Sequence, residues 1–137
     1  MNTWTNIGLW ALRIVAAIIM LQTLYFKFTA ADESVYIFSK IGMEPWGRIG
    51  TGVLELVASA LILFPATTVF GALLAMGLMS GAIFFHLTKL GIVVKNDGGQ
   101  LFVYSLIVFV SGAILAFVYR AQLTGYFKKL SSITAIL

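Results

Sequence analysis

The chain contains no cysteine, one histidine, two prolines and five acidic residues in 137. Without cysteine there is no disulfide, no CxxC redox pair, no thiolate zinc site and no cysteine-held iron–sulfur cluster. A lone histidine, His86, has no second imidazole beside it, so it reads as a hydrogen-bonded side chain and no metal or haem ligation is expected. Charge is scarce as well, at 10% of residues against the roughly 25% usual in soluble domains. What fills the space is apolar, with 61% hydrophobic residues and 14% aromatic ones. That is the composition of a membrane protein.

A transmembrane helix needs about 20 predominantly apolar residues to cross about 30 Å of hydrocarbon. Four segments meet this requirement, at about 7–27, 47–64, 66–88 and 101–120, and a basic tail follows at 121–137. The expected fold is all-α, a single integral-membrane four-helix bundle. Between the first two spans, alternating charged and aromatic residues with a turn at Gly42–Pro45 predict a short interfacial helix or loop. Because PATT (65–68) is too short for anything else, spans two and three are antiparallel neighbours. The Asn-Asp-Gly-Gly run at 96–99 marks the turn before the fourth span, and four crossings put both termini on one side. The first span reads as a retained helix rather than a cleaved leader, since no basic residue precedes Leu12 and its apolar run exceeds the 7–15 residues of a signal peptide.

The nine basic residues give a net charge of +4, but they are dispersed over span ends and loops. A nucleic-acid surface needs them clustered; these read as anchors at anionic lipid headgroups. Small residues that let transmembrane backbones approach closely recur at Gly71 and Ala75, Gly77 and Gly81, and Gly112 and Ala116. They predict helix packing within the chain, with homo-oligomer contacts as the alternative.

Polar residues inside the spans fall on single helical faces. Arg13, Ala17, Met20, Thr23 and Lys27 form one stripe, and Arg48, Gly52, Glu55 and Ser59 another. Ala75, Met79, Ala82 and His86 form a third, and Gln100, Tyr104, Ile107 and Ser111 a fourth. Four such faces around a common interior place Lys27, Arg48, His86 and Gln100 at one mouth, with Glu55 about 10 Å deeper and Arg13 apart, toward the terminal side. Glu55 is the sharpest anomaly. A charged side chain at the centre of a span costs roughly 2.5–3.5 kcal/mol on insertion scales, and an intramembrane ionisable group is by default a functional candidate. The competing reading is a structural Glu55–Lys27 ion pair between two helices. The candidate polar site is therefore Lys27, Glu55, His86, Arg48, Gln100, Tyr104 and Arg13, with no catalytic or covalent-cofactor residue assigned.

An arginine early in the first helix, YFKF at 25–28, KIGMEPWGRIG at 40–50, GVLELVASALILFP at 52–65, GALLAMGLMSGAIFFHL at 71–87 and a polar-to-apolar fourth helix together resemble the DoxX family of small four-helix membrane proteins, over about residues 8–120. The resemblance implies a bundle in the bacterial cytoplasmic membrane. It also implies a link to thiosulfate:quinone oxidoreduction or to quinone and oxidative stress, with Arg13, Lys27, Glu55 and His86 as matching positions. Phe26 departs from it, standing where a glycine often precedes the lysine region. Three functions are then open. The first is an oxidoreductase component that uses quinone or a small sulfur anion, with a soluble or membrane redox partner supplying electrons. The others are a binder or carrier of a small amphiphile or anion, and a membrane anchor or assembly factor for a soluble redox enzyme.

Overall fold

The computed structural model describes residues 2–137. Six helices follow in order: α1 (Thr3–Phe28), α2 (Asp32–Lys40), α3 (Trp46–Leu63), α4 (Thr68–Phe85), α5 (Gln100–Val118) and α6 (Arg120–Ile136). A 3-10 turn, Pro65–Thr67, joins α3 to α4, and a π-helical turn, His86–Leu90, continues α4. No strand occurs among the described residues. The segments Thr3–Phe28, Trp46–Leu63, Pro65–Leu90 and Gln100–Val118 are long and apolar enough to span a membrane. The chain is thus an all-α integral-membrane helical bundle, with its span limits within four residues of the sequence reading and α2 as the short helix between the first two spans.

Local chemistry sets the helix ends. The Asn2 side-chain oxygen caps α1 by accepting the Thr5 N–H at 2.8 Å. Phe64, extended before Pro65 as a residue preceding proline prefers, ends α3. There the Thr67 and Thr68 hydroxyls donate to the Leu61 and Ile62 carbonyls at 2.9 and 3.3 Å, satisfying acceptors that a helix C-terminus leaves orphaned.

The spans pack as a ring, with α1 beside α3 and α5, and α4 between α3 and α5. Leu9, Ala16, Met20, Ala58, Ile62, Ala72, Ala75, Met79, Val108 and Leu115 form the core, while Ile14, Val53, Leu73 and Val110 point outward. Lipid is as apolar as this core, so close packing rather than water exclusion holds the helices together. Two glycines make that closeness possible. A Cβ on Gly71 would lie 2.5 Å from the Ile62 nitrogen and 2.7 Å from the Ala58 carbonyl oxygen, and one on Gly112 would lie 3.1 Å from the Ala72 carbonyl oxygen.

Two expectations shift. A Cβ on Gly77 or Gly81 would meet nothing within 4 Å, so neither packs against another helix of the chain, and both line a cavity. On α5 the interior face runs through Ser105, Val108, Gly112 and Leu115, with Ser111 beside it, whereas Ile107 is 38% exposed. The stripe drawn from Gln100 and Tyr104 is rotated because those two sit at the helix start, where polar side chains can reach past the packed face. The basic tail forms the helix α6.

The Gly71 contact is with backbone, which cannot rotate away. Gly71→Ala should therefore lower stability by about 1–3 kcal/mol, while Gly77→Ala leaves it unchanged, as read by thermal unfolding in detergent. Equal shifts for the two would contradict the close α3–α4 approach.

Candidate functional site

Glu55 is buried on the inner face of α3, one helical step below Gly52. Lys27, in the last turn of α1, reaches down to it, with Nζ 3.0 Å from Oε1 and the two side chains 13% and 7% exposed. Thr23, one turn below Lys27 on α1, closes the group. Its hydroxyl lies 2.7 Å from Glu55 Oε2 and 2.8 Å from the Met20 carbonyl, and it accepts from Lys27 Nζ at 3.0 Å. Each carboxylate oxygen thus has a donor. Gly52 leaves room for the Phe28 ring beside this group, since a Cβ there would lie 2.7 Å from it. An ammonium carries three N–H donors, of which Lys27 commits two.

Above the pair lies a cavity of about 550 Å³, within the usual range for small-molecule sites. Its walls are mainly apolar, including Met20, Phe26, Phe38, Met79 and Phe85, and Glu33, Ser34, Ile37 and Phe38 bring α2 over its mouth. Lys27, Thr23 and Glu55 form the polar part of one wall, and His86, Gln100, Tyr104 and Ser105 also line it. His86 is 5% exposed, stacks edge-on with Phe102 at 5.6 Å, and points Nδ1 at the Gly91 carbonyl 2.9 Å away. A carbonyl only accepts, so Nδ1 carries the proton. That leaves Nε2 as an acceptor when the ring is neutral and a donor when it is charged. The Tyr104 hydroxyl accepts from the Gln100 amide at 2.9 Å and keeps its own proton to donate. Gln22, Phe26 and Gln100 line the cavity, and Phe26 and Gln100 are exposed, so it communicates with the outside.

The other two candidates stand elsewhere. Arg48 is buried but does not line the cavity. Its Nε donates to both oxygens of Glu44, at 2.8 and 3.0 Å, and Nη1 to the Lys27 carbonyl at the end of α1. Arg48 therefore fixes the helix end from which Lys27 projects. Arg13 lies toward the opposite end of the bundle, stacked on the rings of Trp10 and Tyr119 at 4.2 and 4.7 Å. Its Nε and Nη1 are buried with no acceptor among the described residues, so the faces of the two aromatic rings are what offset burial of this cation.

Sequence reasoning does not single out Thr23 as a site residue, and it misses Asp97 as the anchor of the cavity wall. Asp97 Oδ1 accepts the Val94 and Gly99 N–H groups at 3.0 and 2.8 Å, and Oδ2 accepts that of Leu101 at 3.3 Å. These bonds shape the 91–99 connection, where Lys95 and Asn96 take left-handed backbone conformations, and they seat the start of α5 near His86. Burial would by itself raise the Asp97 pKa. The three N–H groups outweigh it, with a smaller pull from His86, and hold the carboxyl below its ordinary 3.8. Only the signal D-x-G before a helix could have pointed there.

Two outcomes follow from this geometry. Breaking a buried pair from one side strands a charge, at about 3–5 kcal/mol. Lys27→Met and Glu55→Gln should each lower the melting temperature strongly, and the double variant should lose much less than the sum; additive losses would show that the pair is not coupled. For Asp97 the lowered pKa means its contribution is complete above about 3.8 and disappears as pH falls through the lower folded value. Thermal melts should show Asp97→Asn less stable than the parent by on the order of 1 kcal/mol at neutral pH. That difference should shrink only in acid, below about 3.8.

Among curated proteins and among solved structures, none matches the chain. The model of one protein family does match, over residues 11–110, a stretch that holds Arg13, Lys27, Arg48, Glu55, His86, Asp97, Gln100 and Tyr104. With four spans, a polar interior and that match over most of its length, the chain belongs to the DoxX-like family.

Proposed function

We propose that the protein binds a small amphiphile of the quinone class in the cavity above Lys27 and Glu55, and serves a membrane redox system as its quinone-docking component. The observation that carries this reading is the cavity itself. It is mostly apolar, with the Lys27–Thr23–Glu55 group as a polar patch on one wall and His86 and Tyr104 also lining it. A quinone has a flat apolar ring and two carbonyl oxygens that need donors. The uncommitted N–H of Lys27 and the Tyr104 hydroxyl supply donors, and the methionines and phenylalanines accept the ring.

The reduced form has two hydroxyls that need acceptors. Glu55 and His86 Nε2 supply these, and either group can take up or release a proton at its own position. A quinone bound here would carry two electrons and two protons per turnover. The chain's own residues hold and exchange only the protons. Among the described residues no cluster of His, Asp and Glu could hold a metal, and the electrons are assigned to a soluble or membrane redox partner. The corresponding placement is the bacterial cytoplasmic membrane, where such partners and quinones meet.

Small sulfur anions fit less well. Glu55 already neutralises Lys27, Arg48 is turned to Glu44, and the cavity offers an anion little uncompensated positive charge.

The test is direct binding of a short-chain quinone to the purified protein. Gly81→Leu should project into the cavity and weaken binding by at least tenfold, while leaving the melting temperature near that of the parent, because a Cβ there would meet no atom within 4 Å. Lys27→Met/Glu55→Gln should weaken it by a similar factor, the worth of one lost hydrogen bond to a charged donor. Unchanged affinity in both would rule out this cavity as the site.

A further inference from the structure

The structure assigns α6 a role the cavity does not: we infer that it is an interfacial helix that binds the headgroups of anionic phospholipids at the end of the bundle opposite the cavity mouth. Three observations place it there. First, α6 is pinned across that end. The Gln122 side chain donates to the Pro65 carbonyl at 2.7 Å and accepts the Val69 N–H at 3.1 Å, and Tyr126 meets Phe70 edge-on at 5.5 Å. Residues 122 and 126 are a full helical turn apart, yet both touch the start of α4. The helix therefore lies over the bundle end instead of continuing the line of α5.

Second, α6 is amphipathic with an unfilled apolar face. Leu123, Tyr126, Phe127, Leu130 and Ile133 recur at three- and four-residue spacing on one side. Apart from the Tyr126–Phe70 contact, that face has little protein cover, and Tyr126, Phe127, Leu130 and Ile133 are 41–60% exposed. A basic amphipathic helix that starts one residue after a membrane span has its apolar face at the depth where acyl chains begin.

Third, charge is segregated along the molecule. All five acidic residues lie in the half of the bundle that holds the cavity, Glu55 the deepest of them, together with five of the nine basic ones. Arg13, Arg120, Lys128 and Lys129 at the other end thus account for the whole net charge of +4. Residues 119–137 contain no acid to oppose an anionic surface. Lysines near such a surface each contribute roughly fivefold to binding.

The absence of cysteine makes the test clean. A polarity-sensitive dye is placed on Leu130→Cys, on the apolar face, or on Ser132→Cys, about 200° around the helix from it. Full-length protein is reconstituted into phosphatidylcholine vesicles with or without phosphatidylglycerol. A quencher attached to lipid chains should reach the dye at 130 and not at 132, most strongly with phosphatidylglycerol. Lys128→Gln/Lys129→Gln should lower the docked-to-free ratio of α6 about thirty-fold in the anionic vesicles, and high salt should do the same. If a water-soluble quencher reaches both positions equally, α6 stands in water, its apolar face belongs to a protein partner, and the inference fails. Insertion at 130 that ignores phosphatidylglycerol and both lysines would overturn the anionic-headgroup assignment.

Discussion

A carboxylate inside an apolar bundle is tolerable only if a cation reaches it, and most of the mouth half of this molecule follows from that need. Glu55 is buried on the inner face of α3, and Lys27 projects from the end of α1 on the same side and bends inward to within 3.0 Å. The end of α1 must then be held, which Arg48 does by binding the Lys27 carbonyl while Glu44 neutralises its own charge. The helices must also approach closely at that level, and Gly52 leaves room for Phe28. One buried acid thereby fixes the register of α1 on α3.

That pairing covers only one wall. Elsewhere in the mouth half, Gly77 and Gly81 add no side chains to the cavity wall, and the bundle keeps a cavity there beside its packed core. At the closed end, by contrast, Gly71 and Gly112 bring α4 against α3 and α5 and leave little space. The same residue type therefore seals one half of the bundle and opens the other. Its effect depends on whether the missing Cβ faces a neighbouring backbone or the central space. The π-helical turn at His86–Leu90 and the three N–H bonds to Asp97 then position an imidazole at the cavity rim.

Much of this is legible in the sequence where a polar residue has no alternative to facing inward. The stripe Arg48, Gly52, Glu55 and Ser59 is buried throughout, and Arg13, Ala17 and Met20 are buried on α1. The span limits follow from hydropathy. Less can be read where a side chain has two ways to be satisfied. Arg48 shares a stripe with Glu55 but turns to Glu44 one helical turn away, which stripe geometry cannot distinguish from a cavity position. Gln100 and Tyr104 sit at a helix start where the polar face is free to rotate, so a stripe built on them points Ile107 inward while Val108 is the buried residue. Helix α6 reads from sequence only as a basic tail, because it is too polar overall to count as a span even though its apolar residues recur at helical spacing.

Together these features describe a bundle with a closely packed end and an end built around a mainly apolar cavity with one polar wall. The most direct measurement is an experimental density map of the protein prepared with a short-chain quinone. A planar ring is expected in the cavity above Glu55, with one oxygen in hydrogen-bonding contact with Lys27 or Thr23 and the other with His86 or Tyr104. Density for a lipid chain alone, or a collapsed interior with Phe26 and Phe38 filling the space, would contradict it.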